Sequence, residues 1–346
     1  MKFEIDVKYL TDSLERILKV PSPVGYCKEL NPVLEEMAVE LGYEVTYDNK
    51  GTAYITLDGE DNSKTVLVSA HADTLGFVVR CIEGNGMLMV RRLGGICHPN
   101  VESETVTVHT RDGRKYSGLL ICKSHSTHAF NDAHTLERNE DTMRVLLDEN
   151  VRSKADAQAL GIQNGDYISI DPHYELTENG YVKSRFIDDK GGVAACFAAL
   201  KYLAENKQKP KYRTIVTVPF HEEIGFGGSF VPEGVSEFVA VDIGLIGPEL
   251  DGDERKVSIC AKDVVSTYDY DLTNKLIEKA QKAECPYAVD VFMRYSTDAM
   301  AALRGGNDVK VGAFGMAVYC SHGRERTHIE GLSATANLLL AYMLDI

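Results

Sequence analysis

Five apolar runs in this chain each end in acidic or histidine side chains, and a fold that fits must bring those ends together. Val66 to Ala70 runs into His71 and Asp73; Phe186–Ile187 into Asp188 and Asp189; Thr217 to Phe220 into His221, Glu222 and Glu223. Phe238 to Val241 runs into Asp242, and Val318–Tyr319 leads to Ser321 and His322. Open α/β sheets bind ligands at the carboxyl ends of their strands. Five such ends carrying Asp, Glu or His predict one polynuclear metal site drawn from distant parts of the chain, and with it a hydrolase.

Periodicity supports such a sheet. Helical spacing predicts helices over 11–19, closed by Pro21 and Pro23, and over 27–41, stopped by Gly42. Strands follow near 43–48, 52–57 and 65–71, the last apolar enough for a central strand covered on both faces. After residue 182 the alternation resumes: helix 190–205, strands 213–220 and 238–242, helix 271–284, strand 288–292, a helix from 298, strand 311–319 and helix 332–343. Between them, short β-like runs are punctuated by Gly84–Asn85–Gly86, Arg111–Asp112–Gly113, Asn164–Gly165–Asp166 and Glu178–Asn179–Gly180. The reading is an α/β protein: a central sheet with helices on both faces over 1–74 and 182–346, and a small β-rich domain inserted over 75–181.

Charge narrows the function. Lys plus Arg is 37 against 52 Asp plus Glu, a formal net charge of -15, which speaks against nucleic-acid or anionic-membrane binding as the main task. No apolar run is long enough to span a membrane, and the first residues lack the apolar core of a signal peptide. The eight cysteines form no CxxC pair, so a cytoplasmic protein with free thiols is expected.

Each candidate has a plainer competitor. His71 and Asp73 point the same way on an extended chain, so the carboxylate can hold the imidazole or a neighbouring group; a histidine bonded within a turn would look alike. Asp188 can bridge two ions, whereas Asp189 before the Ala-rich helix could do no more than cap it. Glu222 and Glu223 are the sharper clue, because adjacent carboxylates at a hydrophobic strand end repel unless cations or protons compensate. A division of labour explains them: one binds metal and the other moves the proton of an activated water. Asp242 could close the ligand set. His322 and His328 compete for the C-terminal ligand position, with separation from the final helix favouring His322. These N and O donors suit zinc, cobalt or manganese, and two ions need about six donor atoms.

These residues resemble the glutamyl and deblocking aminopeptidases, including the tetrahedral archaeal enzymes, some of whose relatives carry an endoglucanase label. The resemblance rests on His71–Ala72–Asp73, Ile187–Asp188–Asp189–Lys190, His221–Glu222–Glu223, Val241–Asp242, Ser296–Thr297–Asp298–Ala299 and the C-terminal histidine motif. It implies a zinc-exopeptidase-like mixed sheet and two divalent ions per subunit. His71, Asp188 and Asp242 would hold one ion; Asp188, Glu223 and His322 would hold the other. It further implies Glu222 as general base, Asp73 orienting His71, and a cis peptide at Asp188–Asp189. The inserted domain would act as a lid and assemble homo-oligomers, dimers up to dodecamers.

Three departures bear on substrate: Thr74 stands where relatives have Glu, Ser296 where they have Gly, and Glu325 follows His322 at a shorter interval than in their His-Ser-Pro-x-Glu. Ser296, Thr297 and Asp298 are placed on the substrate side, although a helix cap explains them nearly as well. The leading expectation is a dinuclear aminopeptidase acting on peptides. A metal-dependent amidohydrolase of N-acyl amino acids or short modified peptides is the alternative, with Arg294, Arg324 and Arg326 as carboxylate binders. Weaker alternatives are a glycan hydrolase, disfavoured because Glu222 and Glu223 are adjacent rather than flanking a bond, and a zinc-stabilised peptide-binding protein.

Overall fold

In the computed structural model, which describes residues 2–346, the larger of two compact units runs to Asp73 and resumes at His173, and the smaller is Thr74–Pro172. The insertion was expected to run on to 181. The segment beyond Pro172 belongs instead with the larger unit, because Glu175–Leu176 and Tyr181–Ser184 pair in a three-stranded sheet with Glu325–His328.

The larger unit is built on a mixed sheet. Its order is Thr46–Tyr47, Ala53–Leu57, Tyr212–Val218, Asp61–Ser69, Val235–Val241, Lys310–Val318, Val257–Lys262 and Tyr287–Val291, with Gly244–Leu245 pairing the long strand Lys310–Val318. The four central strands are parallel. Their carboxyl ends therefore fall on one edge, at Ser69, Val218, Val241 and Val318. Antiparallel pairings flank these four strands on both sides: Ala53–Leu57 on Tyr212–Val218, and Val257–Lys262, which periodicity did not reveal, on Lys310–Val318.

Apolar burial on both faces sets the layers. Helices Val7–Leu18, Ile187–Glu205 and Ile329–Leu344 pack against one another and bury Leu10, Leu14, Ile17, Phe197, Leu200, Leu338 and Leu339. On the other face, Leu67, Ile215, Phe238, Ala240 and Val311 pack with Ala299, Met300 and Ala302 of the short helix Asp298–Arg304. The first helix begins four residues earlier than its hydrophobic repeat suggests, because the Asp6 carboxylate accepts the Tyr9 N–H and caps it. Lys190, fully buried, ties the helices together: its Nζ donates to the carbonyls of Ile17 (2.9 Å) and Val20 (2.8 Å).

The smaller unit is a closed six-stranded barrel in the order Gly76–Ile82, Leu88–Leu93, Met143–Leu147, Lys115–Cys122, Thr105–His109 and Tyr167–Ile170. Closure leaves no free edge. Among the described residues no helix is long and apolar enough to cross a membrane, and all eight cysteines are free.

Candidate metal centre

Immediately beyond the central strands, the chain turns and delivers its acidic and histidine side chains into one pocket of the larger unit. His71 follows strand Asp61–Ser69 and is 2% exposed. Its Nδ1 faces the backbone carbonyl of Asp73 at 3.1 Å, with Asp73 Oδ1 at 3.5 Å. A proton on Nδ1 donating to that carbonyl leaves the Nε2 lone pair for a ligand. Nε2 lies 3.1 Å from Asp188 Oδ1 and 3.6 Å from Glu222 Oε2.

Asp188 stands between two imidazoles: its Oδ1 faces His71, and its Oδ2 lies 3.6 Å from His322 Nε2. His322 Nε2 is also 3.4 Å from Glu223 Oε2. Asp188 and Asp189 interrupt the start of helix Ile187–Glu205 with non-helical backbone, and the peptide between them is cis. That break turns the two carboxylates in different directions. Asp189 accepts the His71 N–H (3.1 Å) on one oxygen and the Gly192 N–H (3.2 Å) on the other. It therefore clamps the His71 strand end to the helix start. Gly192 is required there, since a Cβ would run into the Asp189 carboxylate and the Val241 carbonyl.

Asp73 has a role that its spacing from His71 did not reveal. Its two carboxylate oxygens accept the N–H groups of Glu222 and Glu223, each at 3.1 Å. It fixes the turn carrying both glutamates, while its main chain, more than its carboxylate, orients the imidazole. The two glutamate side chains are 13% and 5% exposed. Asp242, at the end of Val235–Val241, accepts the Ile243 N–H at 2.7 Å.

Electrostatics bear on what this cluster can hold. Burial, then the neighbouring carboxylates, push Asp242 up to about 7 and raise Glu222 and Glu223 well above the usual carboxylate range. Burial alone would depress His71, but Glu222, Asp188 and Asp73 raise it well above an ordinary imidazole. Burial opposes ionisation of Asp188 too, yet His71 and His322 hold it below its usual value. So many clustered carboxylates call for positive charge. Two overlapping sets already have donor atoms within 4.8 Å of one another: His71, Asp188 and Glu223, and His71, Asp189 and Asp242. The donors are hard oxygens and imidazole nitrogens, a set that fits divalent zinc, cobalt or manganese. Of the two aspartates, Asp188 is the better ligand, because both oxygens of Asp189 already accept backbone N–H groups.

The remaining candidates separate cleanly. His328 is not brought to the centre: its Nδ1 accepts the Glu330 N–H (3.1 Å), capping the last helix, and its Nε2 donates to the Asn179 carbonyl (2.8 Å). Thr297 caps helix Asp298–Arg304, accepting the Ala299 N–H at 3.2 Å and meeting the Tyr268 hydroxyl at 2.9 Å. Ser296 Oγ is buried with no hydrogen-bond partner among the described residues. Asp298 accepts the Gly228 N–H at 2.7 Å, and its other oxygen is buried without a partner. Arg326 and Arg324 pair with Glu254 (2.6 Å) and Glu175 (3.4 Å). One supporting residue was missed. Glu325, 1% exposed, accepts the N–H of Asp188 (3.0 Å) and of His322 (3.2 Å). Its position three residues after His322 was the available signal.

Comparison with known proteins places the chain in a family. Residues 51–338 match the family model described as M42 glutamyl aminopeptidase. The chain is 36% identical over 338 residues to YhfE of Bacillus subtilis (strain 168), named there as a candidate aminopeptidase, covering 97% of this chain and 98% of that one. Among solved structures it resembles the TET aminopeptidase from the marine sediment archaeon Thaumarchaeota archaeon SCGC AB-539-E09, with a TM-score of 0.87, 17% identity and coverage of 98% and 97%. It also resembles the Pyrococcus horikoshii TET1 peptidase, described as assembling into a tetrahedron or a large octahedral shell, with a TM-score of 0.82, 23% identity and coverage of 97% and 100%. By the extent of that match and its full-length relative, the chain belongs to the M42 glutamyl aminopeptidase family of metallopeptidases.

Proposed function

We propose that this enzyme removes the N-terminal residue from peptides with Glu222 as general base beside two divalent ions. The observation that carries the reading is Asp188, whose two oxygens face two different imidazoles, His71 and His322. A carboxylate so placed suits a bridge. His71 and Asp242 would complete one site, and Glu223 and His322 the other. Divalent ions bound there would acidify a water and polarise the scissile carbonyl.

The chain's own groups do the rest. Glu222, whose carboxylate accepts no backbone N–H among the described residues and lies 3.6 Å from His71 Nε2, takes the proton of the attacking water and returns it to the leaving amine. Its raised pKa reflects burial and then the carboxylates around it. Asp73 holds the Glu222–Glu223 turn so that one carboxylate moves protons while its neighbour ligates. Zinc is the favoured ion, with cobalt or manganese as substitutes. Family resemblance supports a homo-oligomer, dimer-based and extending to a dodecamer, with the inserted barrel as the assembling unit and lid. Eight free thiols suit a reducing compartment such as the cytoplasm.

The test is chelated protein reloaded with zinc, cobalt or manganese and given free, N-acetylated and N-acyl-amino-acid substrates. Residues should be released from free N-termini alone, and Glu222→Gln should abolish release while metal content holds. Cleavage of blocked substrates alone would replace this reading with an amidohydrolase.

A further inference from the structure

Asp298 is the other buried carboxylate that touches the loop of the glutamate pair. It lies at the first position of helix Asp298–Arg304, where an acidic residue ordinarily serves its own helix. Here Thr297 already caps the helix, and Asp298 Oδ1 instead accepts the N–H of Gly228 at 2.7 Å. The contact is close along its whole length. A Cβ at Gly227 would run into the Asp298 carboxylate, and one at Gly228 into the Asp298 main-chain carbonyl.

Between Gly228 and the glutamates the chain is a tight turn with its own short bonds. The Gly225 N–H donates to the Glu222 carbonyl (2.6 Å) and the Phe226 N–H to the His221 carbonyl (2.9 Å). At the front of the same turn, Asp73 accepts the N–H groups of Glu222 and Glu223. The segment from 222 to 228 is thus gripped at both ends by buried carboxylates from two different elements. Side-chain exposure makes the asymmetry useful: Asp73 is 0% exposed and Asp298 3%, whereas Ile224 and Phe226 between them are 43% and 60% exposed. The exposed side chains of the turn pack little; Lys50 Nζ adds a solvent-exposed bond to the Phe226 carbonyl (3.3 Å), and the two buried carboxylates hold its ends.

We propose that Asp298 is a positioning residue for the general base, acting through Gly227 and Gly228 to hold the Glu222 turn in place. The inference rests on the role of Glu222 proposed above. Among the described residues no hydrogen bond joins Asp298 to the proposed metal ligands; its bond to the Gly228 N–H acts on where Glu222 sits. A base displaced by about an ångström loses much of its effect, since orientation contributes heavily to such steps.

The experiment compares Asp298→Ala and Asp298→Asn in the metal-loaded protein. Asparagine keeps an oxygen for the Gly228 N–H; alanine does not. Amide exchange over 221–230 should speed up in Asp298→Ala and stay near wild type in Asp298→Asn, with bound metal per chain equal in all three. On a free-N-terminus peptide, kcat should fall about 10- to 100-fold in Asp298→Ala with KM nearly unchanged, and recover largely in Asp298→Asn. Unaltered exchange in Asp298→Ala would overturn the proposal, as would an asparagine variant as impaired as alanine. Exchange is read without turnover, so a wild-type protein that cleaves no peptide would sink the aminopeptidase reading while the clamp is still decided.

Discussion

The Glu325 carboxylate accepts the backbone N–H of Asp188 on one oxygen and that of His322 on the other, so one buried side chain sets the spacing of two residues 134 positions apart, at 3.0 and 3.2 Å. Its own pKa is raised well above the usual range by burial and then by Asp188, so it is held at an electrostatic cost. Supporting carboxylates of this kind typically tune metal affinity by about 10- to 100-fold. Glu325→Ala should therefore weaken zinc binding by about that factor, measured by competition with a chromophoric chelator. Unchanged affinity would mean that Asp188 and His322 keep their positions without it.

His322 and His328 give opposite outcomes. His322→Ala removes a half-buried imidazole from the centre and should lower bound metal with little change in the melting temperature of the chelated protein. His328→Ala removes a helix cap and the partner of the Asn179 carbonyl, costing about 1–3 kcal/mol of stability with metal content intact. Thermal melts with metal analysis on both variants decide it; reversed results would return His328 to the ligand set.

Metal-free protein should lose stability as pH rises. Asp242 and Asp298, each pushed up to about 7 chiefly by burial, bind protons in the folded state that they release when unfolded near pH 4. The folded chain then holds more protons across that window, so stability falls as pH climbs through it. His71, raised by its carboxylate neighbours, acts in the same sense: its contribution is full below the unfolded imidazole value and fades as pH passes the folded one. Bound metal replaces those protons. The gap between zinc-loaded and chelated melting temperatures should widen between roughly pH 5 and pH 8, and parallel curves would contradict the account.

Some elements were legible because they break an expectation that burial imposes. Adjacent glutamates after Phe220 and paired aspartates after Ile187 are costly at buried strand ends, so their presence signalled a compensating charge. The parallel strands were readable for the same reason that they are buried: near-continuous apolar runs. The strand Val257–Lys262 escaped because Ser258 and Lys262 break up its apolar residues. The helix starting at Ile187 was read from residue 190 because Asp188 and Asp189 depart from helical backbone.

What the sequence determined by itself was the list of chemistry-bearing ends, since residue type and strand burial are local properties. What only the tertiary structure decided was who supports whom. Asp73 accepts the N–H groups of both glutamates, Asp189 accepts those of His71 and Gly192, and Glu325 joins Asp188 to His322. Those assignments depend on which N–H group lies within about 3 Å of which oxygen. Hydrogen bonds of that reach are set by the register of parallel strands and the turns beyond them, and a linear spacing carries neither.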